Sequence, residues 1–142
     1  MSTRKTLVIV PVLVIWLVGS SATAQTPKKF EYKGVSIGMA TEAVRTKLGN
    51  PKDKSDAQDM YAFSDSETVQ FYYDASHQVH AIMIFYSGDL KTALSAKDVF
   101  GEDVAAKPDG GISKKEEYKK EGFWISYNRM GSDSLVIAVQ KM

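Results

Sequence analysis

The sequence predicts an α+β fold: an antiparallel β-sheet built from two helix-plus-meander halves, with short helices packed on one face. Three observations carry this. Two short stretches, 41–48 and 95–100, are each opened by a hydroxyl residue and closed by glycine, as helix ends are. The segments between them are rich in aromatic and β-branched residues and alternate with the period of a strand. Short polar turns at 74–78 and 131–133 join consecutive strand segments, as antiparallel hairpins require.

The first helix is read at Thr41–Leu48. Thr41 is the expected N-cap, its hydroxyl accepting a free amide hydrogen of the first turn. Glu42 complements the positive end of the helix dipole. Val44 and Leu48 share a face. Gly49 can take a left-handed stop, and Pro51 prevents continuation. Strands follow at Met60–Phe63, Thr68–Tyr73 and Val79–Tyr86. In the second, Val69, Phe71 and Tyr73 point one way, Gln70 and Tyr72 the other.

The pattern then starts again. Ser95 and Asp98 form a capping box before Gly101. Glu116–Lys120 reads as a charged edge strand, a composition that discourages aggregation. Gly122–Arg129 alternates Phe123, Ile125 and Tyr127 against Trp124 and Ser126, and Ser134–Gln140 is the last strand. At one offset, Phe71–Asp74 overlays Ile125–Asn128 and Val79–Tyr86 overlays Asp133–Gln140. Self-similarity at a long period suggests a tandem repeat, with units 34–88 and 89–142.

Upstream, Arg4 and Lys5 precede an apolar run from Leu7 to Val18 and then small residues ending Ala22-Thr23-Ala24. This is the order of a secretory signal peptide, residues 1–24, cut before Gln25. The apolar run is shorter than a membrane-spanning helix needs. A tether over 25–33 follows, running into a first ordered segment from Phe30 to Ile37, and 34–142 forms a single α+β domain. Losing Arg4 and Lys5 leaves 16 basic against 17 acidic side chains, a net charge of −1 with histidine neutral. That balance gives no support to nucleic-acid binding. The chain has no cysteine, so an exported domain of this size relies on packing.

The run Gly38-Met39-Ala40-Thr41-Glu42-Ala43-Val44, then Leu48-Gly49-Asn50-Pro51, then Phe71-Tyr72-Tyr73-Asp74, resembles the small outer-membrane assembly lipoproteins of the SmpA/OmlA type. It is also similar to the wider group with the β-lactamase-inhibitor-protein-like fold. The resemblance spans about 34–86, and the tandem arrangement is more like the two-repeat inhibitor proteins. It implies a helix packed on an antiparallel sheet. With no cysteine, the chain lacks both the lipid-attachment residue of the first group and the disulfides of the second.

No catalytic signature, metal set or cofactor motif is read. His77 and His80 straddle a turn, where their side chains diverge, with only Asp74 nearby. There is no Gly-x-Ser-x-Gly elbow and no cysteine nucleophile, and Gly110-Gly111 lacks the Lys-Ser/Thr of a phosphate loop. Gly38 and Gly49 are turn and cap glycines. The candidate binding residues are Tyr72 and Trp124, with Tyr86 joining them, on the sheet face that helices leave open. The expected function is an exported protein-binding or scaffolding module of the cell envelope acting through that face. A periplasmic carrier of a small apolar or aromatic ligand and an inhibitor of an exported enzyme are the alternatives. The expected partner is another exported or envelope protein, with no membrane span after signal cleavage. Amino-terminal sequencing of the exported protein is expected to begin at Gln25; a start at residue 1 or 2 would show that the leader is retained.

Overall fold

The computed structural model describes residues 29–142; the leader and its cleavage point lie outside the described residues. Two helices, α1 (Thr41–Leu48) and α2 (Ala96–Phe100), accompany seven strands. These are β1 (Asp53–Lys54), β2 (Gln58–Ser64), β3 (Glu67–Tyr73), β4 (Val79–Ser87), β5 (Ile112–Tyr118), β6 (Phe123–Met130) and β7 (Ser134–Lys141). All pairs are antiparallel, in the order β1-β2-β3-β4-β7-β6-β5. The sheet is open, with β1 and β5 as its edges. Each half of the chain is a short helix followed by a meander, and the two meanders meet where β4 pairs with β7.

The core lies on one face. Val69, Phe71, Ile82, Ile84, Ile125, Ile137 and Val139 are fully buried there, covered by Val44 of α1 and Val99 of α2. The ordered domain begins earlier than 34. Phe30 and Tyr32 belong to the core, so 30–33 is packed chain and not tether. Tyr32 and Val35 exchange two backbone hydrogen bonds of 2.9 Å around Lys33 and Gly34, both with positive φ.

The two helices are capped differently. Ser95 and Asp98 form the capping box at α2, and Gly101 closes it in the left-handed conformation. The Asp98 carboxyl is held below its ordinary range by the hydrogen bonds from Ser95. At α1 Thr41 is not the N-cap. Ala40 holds that position without a side-chain bond, and the Thr41 hydroxyl instead donates to the His77 carbonyl at 3.0 Å. The reason is tertiary: Ala40 is bridged to Gln78, so the β3–β4 turn takes the hydroxyl.

A β-bulge near His80 shifts the phase of β4. Tyr72 pairs with Ala81 but Tyr73 pairs with Val79. Before the bulge Val79 faces the core; after it Ile82, Ile84 and Tyr86 do. One offset therefore cannot overlay both strands of each hairpin. Placing Val79–Tyr86 on Asp133–Gln140 sets buried Ile82 and Ile84 against Val136 and Ala138, which face the other way.

One buried charge ties α1 to the sheet. Asp59, fully buried on β2, accepts from Arg45 Nε at 2.9 Å and Nη2 at 2.8 Å, and from Tyr73 Oη at 2.7 Å. Burial and the bond to Asp59 raise the Tyr73 phenol far above its ordinary value, so it donates at any physiological pH. A bidentate guanidinium–carboxylate pair is geometrically specific, and removing one partner strands the other. Arg45 is 24% exposed and could turn to water, whereas Asp59 at 0% could not. Arg45→Ala is expected to lower unfolding free energy by about 3 kcal/mol. Its exposed neighbour variant Thr46→Ala should stay within about 0.5 kcal/mol. Urea denaturation of both reads the difference.

Candidate interaction face

The helices and the amino-terminal segment all pack on one side, so the other side of the sheet is uncovered among the described residues. Strand register sets its layout, because directly paired residues point to the same face. Tyr72, Ala81, Gln140 and Trp124 form one row across β3, β4, β7 and β6. Gln70, Met83, Ala138 and Ser126 form the next, and Thr68, Phe85, Val136 and Asn128 the third.

None of these twelve side chains is charged, although a quarter of the whole chain is. Charge returns only at the margins, as Lys115 and Glu117 on β5 and Asp53 on β1. Solvated faces of antiparallel sheets are ordinarily polar. Here the centre is Met83, Phe85, Val136 and Ala138, partly exposed, within a frame of amides and hydroxyls.

The two aromatic anchors stand at opposite ends of their row, three strand spacings or about 14 Å apart. Tyr72 donates to Gln70 Oε1 at 2.5 Å, and its ring lies 6.4 Å from that of His80. The Lys115 ammonium sits 4.5 Å from the Trp124 ring centroid, a cation–π contact. The structure brings Tyr72 and Trp124 to one face and separates them by Ala81 and Gln140. Both rings are fixed by neighbours, so little rotamer freedom is left to lose on contact.

Tyr86 does not belong to this face. It is 4% exposed in the core, its hydroxyl 3.5 Å from Glu67 Oε1, and burial pushes the phenol up to about 12. Tyr32 donates to the same carboxylate oxygen at 2.5 Å. The correction follows from the bulge: β4 is apolar on both sides, so composition gives no phase, and the extra residue decides it. The residues that sequence reasoning missed are Met83, Phe85, Val136 and Ala138. Their signal was present in β4 and β7, which stay apolar on both faces as strands covered on both sides do.

His77 sits in the turn with positive φ and His80 at the bulge. No group of three or more histidines, aspartates or glutamates among the described residues is placed to hold a metal ion. Every buried side-chain nitrogen and oxygen among the described residues has a hydrogen-bond partner.

No protein-family model matches the chain, and no curated protein matches it significantly. A crystal structure of a DUF4309 family protein, YjgB from Bacillus subtilis, is similar with a TM-score of 0.50 and 13% identity. The match covers 80% of this chain and 88% of that one. This likeness concerns the fold alone. No helix among the described residues is long and apolar enough to cross a membrane.

The face assignment has a direct consequence for stability. Tyr86→Ala should cost about 3 to 5 kcal/mol, as aromatic truncation in a core does. Tyr72→Ala/Trp124→Ala should cost no more than about 1 kcal/mol. Denaturation followed by circular dichroism would reverse the assignment if the order of these losses were inverted.

Proposed function

We propose that the protein is an exported binding module of the cell envelope that docks another exported protein on its uncovered sheet face. The observation that carries this reading is the absence of charge from the three rows spanning β3, β4, β7 and β6. A face meant for water would gain solubility from lysine and glutamate there; a face meant to be covered must avoid stranding them. Interface centres are likewise depleted in charge and enriched in Tyr, Trp, Phe and Met. Tyr72 and Trp124 anchor the two ends, and Met83 and Phe85 supply adaptable apolar area between them.

The partner that fits is a protein presenting a flat, uncharged, largely apolar surface, with polar groups opposite the glutamines and asparagine of the frame. Scaffolding and inhibition would use the same face and differ only in what is bound. The resemblance to assembly lipoproteins and inhibitor proteins is consistent with either.

Capture from envelope extract tests the reading. The wild type is expected to retain a specific protein, and both Tyr72→Ala/Trp124→Ala and Met83→Glu to lose it by at least about tenfold, the effect of removing a hot-spot residue. Equal retention by all three folded proteins would move the interface off this face.

A further inference from the structure

The rim of the uncovered face is charged in a definite pattern. The rows continue onto β2, where Gln58, Met60 and Ala62 pair with Tyr72, Gln70 and Thr68. Beyond Asn128 the same face of β6 carries Met130, which is 61% exposed. The middle row runs through Met60, Met83 and Ser126 and ends in Asp53 on β1 and Lys115 on β5. It is neutral along its length, acidic at one end and basic at the other. Neither end group forms an ion pair among the described residues. Strand β4 is the fourth of the seven, so Met83 and Phe85 stand at the centre of the face.

A row with opposite charges at its ends is complementary to itself under a twofold axis, because the axis exchanges the ends. Two twisted sheets pack face to face with their strands aligned to within about 30°, and this leaves two aligned arrangements. An axis across the strands sets β1 on β1 and β5 on β5, so that Asp53 meets Asp53 and Lys115 meets Lys115. An axis along β4 sets β1 over β5 and brings Asp53 of each copy within side-chain reach of Lys115 of the other. Only the second arrangement avoids like charges, whose juxtaposition is strongly unfavourable. The same axis lays Met83 and Phe85 against their own counterparts and Tyr72 near Gln140 of the second copy. The size is sufficient. Six strand spacings by three rows give a flat area of about 600 Å² per copy, or about 1,200 Å² for two, the lower limit for a specific interface. The face is itself the flat, uncharged surface that it is shaped to dock.

We propose that this face pairs with a second copy of the chain, sheet against sheet, about a twofold axis along β4 with an Asp53–Lys115 pair at each side of the rim. The proposal rests on the reading of the face as a docking surface and names what covers it first; any other exported protein has to displace the second copy.

Sedimentation velocity of the exported chain over a range of concentrations reads the pairing. A reversible dimer is expected, with a dissociation constant of about 10 μM or tighter. Met83→Glu, which sets two charges against each other at the axis, should leave a monomer with an unchanged circular dichroism spectrum. Asp53→Lys and Lys115→Glu should each weaken the dimer at least about tenfold, since each sets like charges together on both sides of the rim. The double exchange Asp53→Lys/Lys115→Glu should recover the wild-type constant to within about threefold, because the pair is restored with its signs reversed. A chain that stays monomeric at about 100 μM overturns the proposal. So does a dimer that survives in Met83→Glu, or a double exchange that binds no more tightly than the single ones. The docking reading fails separately. A monomer that still captures an exported protein through Tyr72 and Trp124 loses the second copy and keeps the face, whereas a dimer that meets these expectations and captures nothing else keeps the second copy and loses the other partner.

Discussion

Seven residue pairs, from Ala81 opposite Gln140 to Ser87 opposite Ser134, join two meanders that otherwise have little reason to share a sheet. Along this seam Ile82 meets Val139 and Ile84 meets Ile137, all fully buried. Each buried side chain of this kind contributes about 1.5 to 3 kcal/mol. The pairing joins strands about fifty residues apart, so it closes a long loop. Both faces of the molecule follow from it. The core is continuous across the seam, and so is the uncharged patch behind it.

Cover is one-sided. Helix α1 is fastened by the Arg45–Asp59–Tyr73 cluster, and the amino-terminal segment inserts Phe30 and Tyr32 into the same layer. Helix α2 has a complete capping box but only five residues. The same asymmetry that concentrates packing on one face leaves the other with Met83, Phe85, Tyr72 and Trp124 half-wet. A sheet of this kind with a purely structural back would place charge there, as β5 does at the edge with Lys115 and Glu117.

The bulge near His80 shows how a single inserted residue redistributes function. Counting in twos from Val79 puts Tyr86 on the outer face; the bulge turns it inward to Glu67 and leaves Phe85 outside. Bulges commonly re-aim side chains in this way. In β3 and β6 the phase is marked by Gln70, Ser126 and Asn128 standing between buried apolar neighbours, and Tyr72 and Trp124 stand where that period puts them.

The sequence by itself determined the two helices and the order of the six longer strands, because each helix carries its own stop and α2 its own cap, and the alternating strands carry their own period; it did not show the two-residue β1, and it set the charged edge strand at 116–120 where β5 runs over Ile112–Tyr118, since a strand of charged residues has no apolar period to mark its ends. It also placed Tyr72 and Trp124 opposite the core, since alternation is a local property. Only the tertiary structure decided how the strands are ordered, which required the non-local β4–β7 pair. Only it decided the phase of β4, which depends on a bulge, and the fate of the Thr41 hydroxyl, taken by a neighbouring turn. The charge-free patch is likewise a tertiary fact: its residues come from four strands, and nothing local tells a chain that twelve uncharged side chains will meet on one surface.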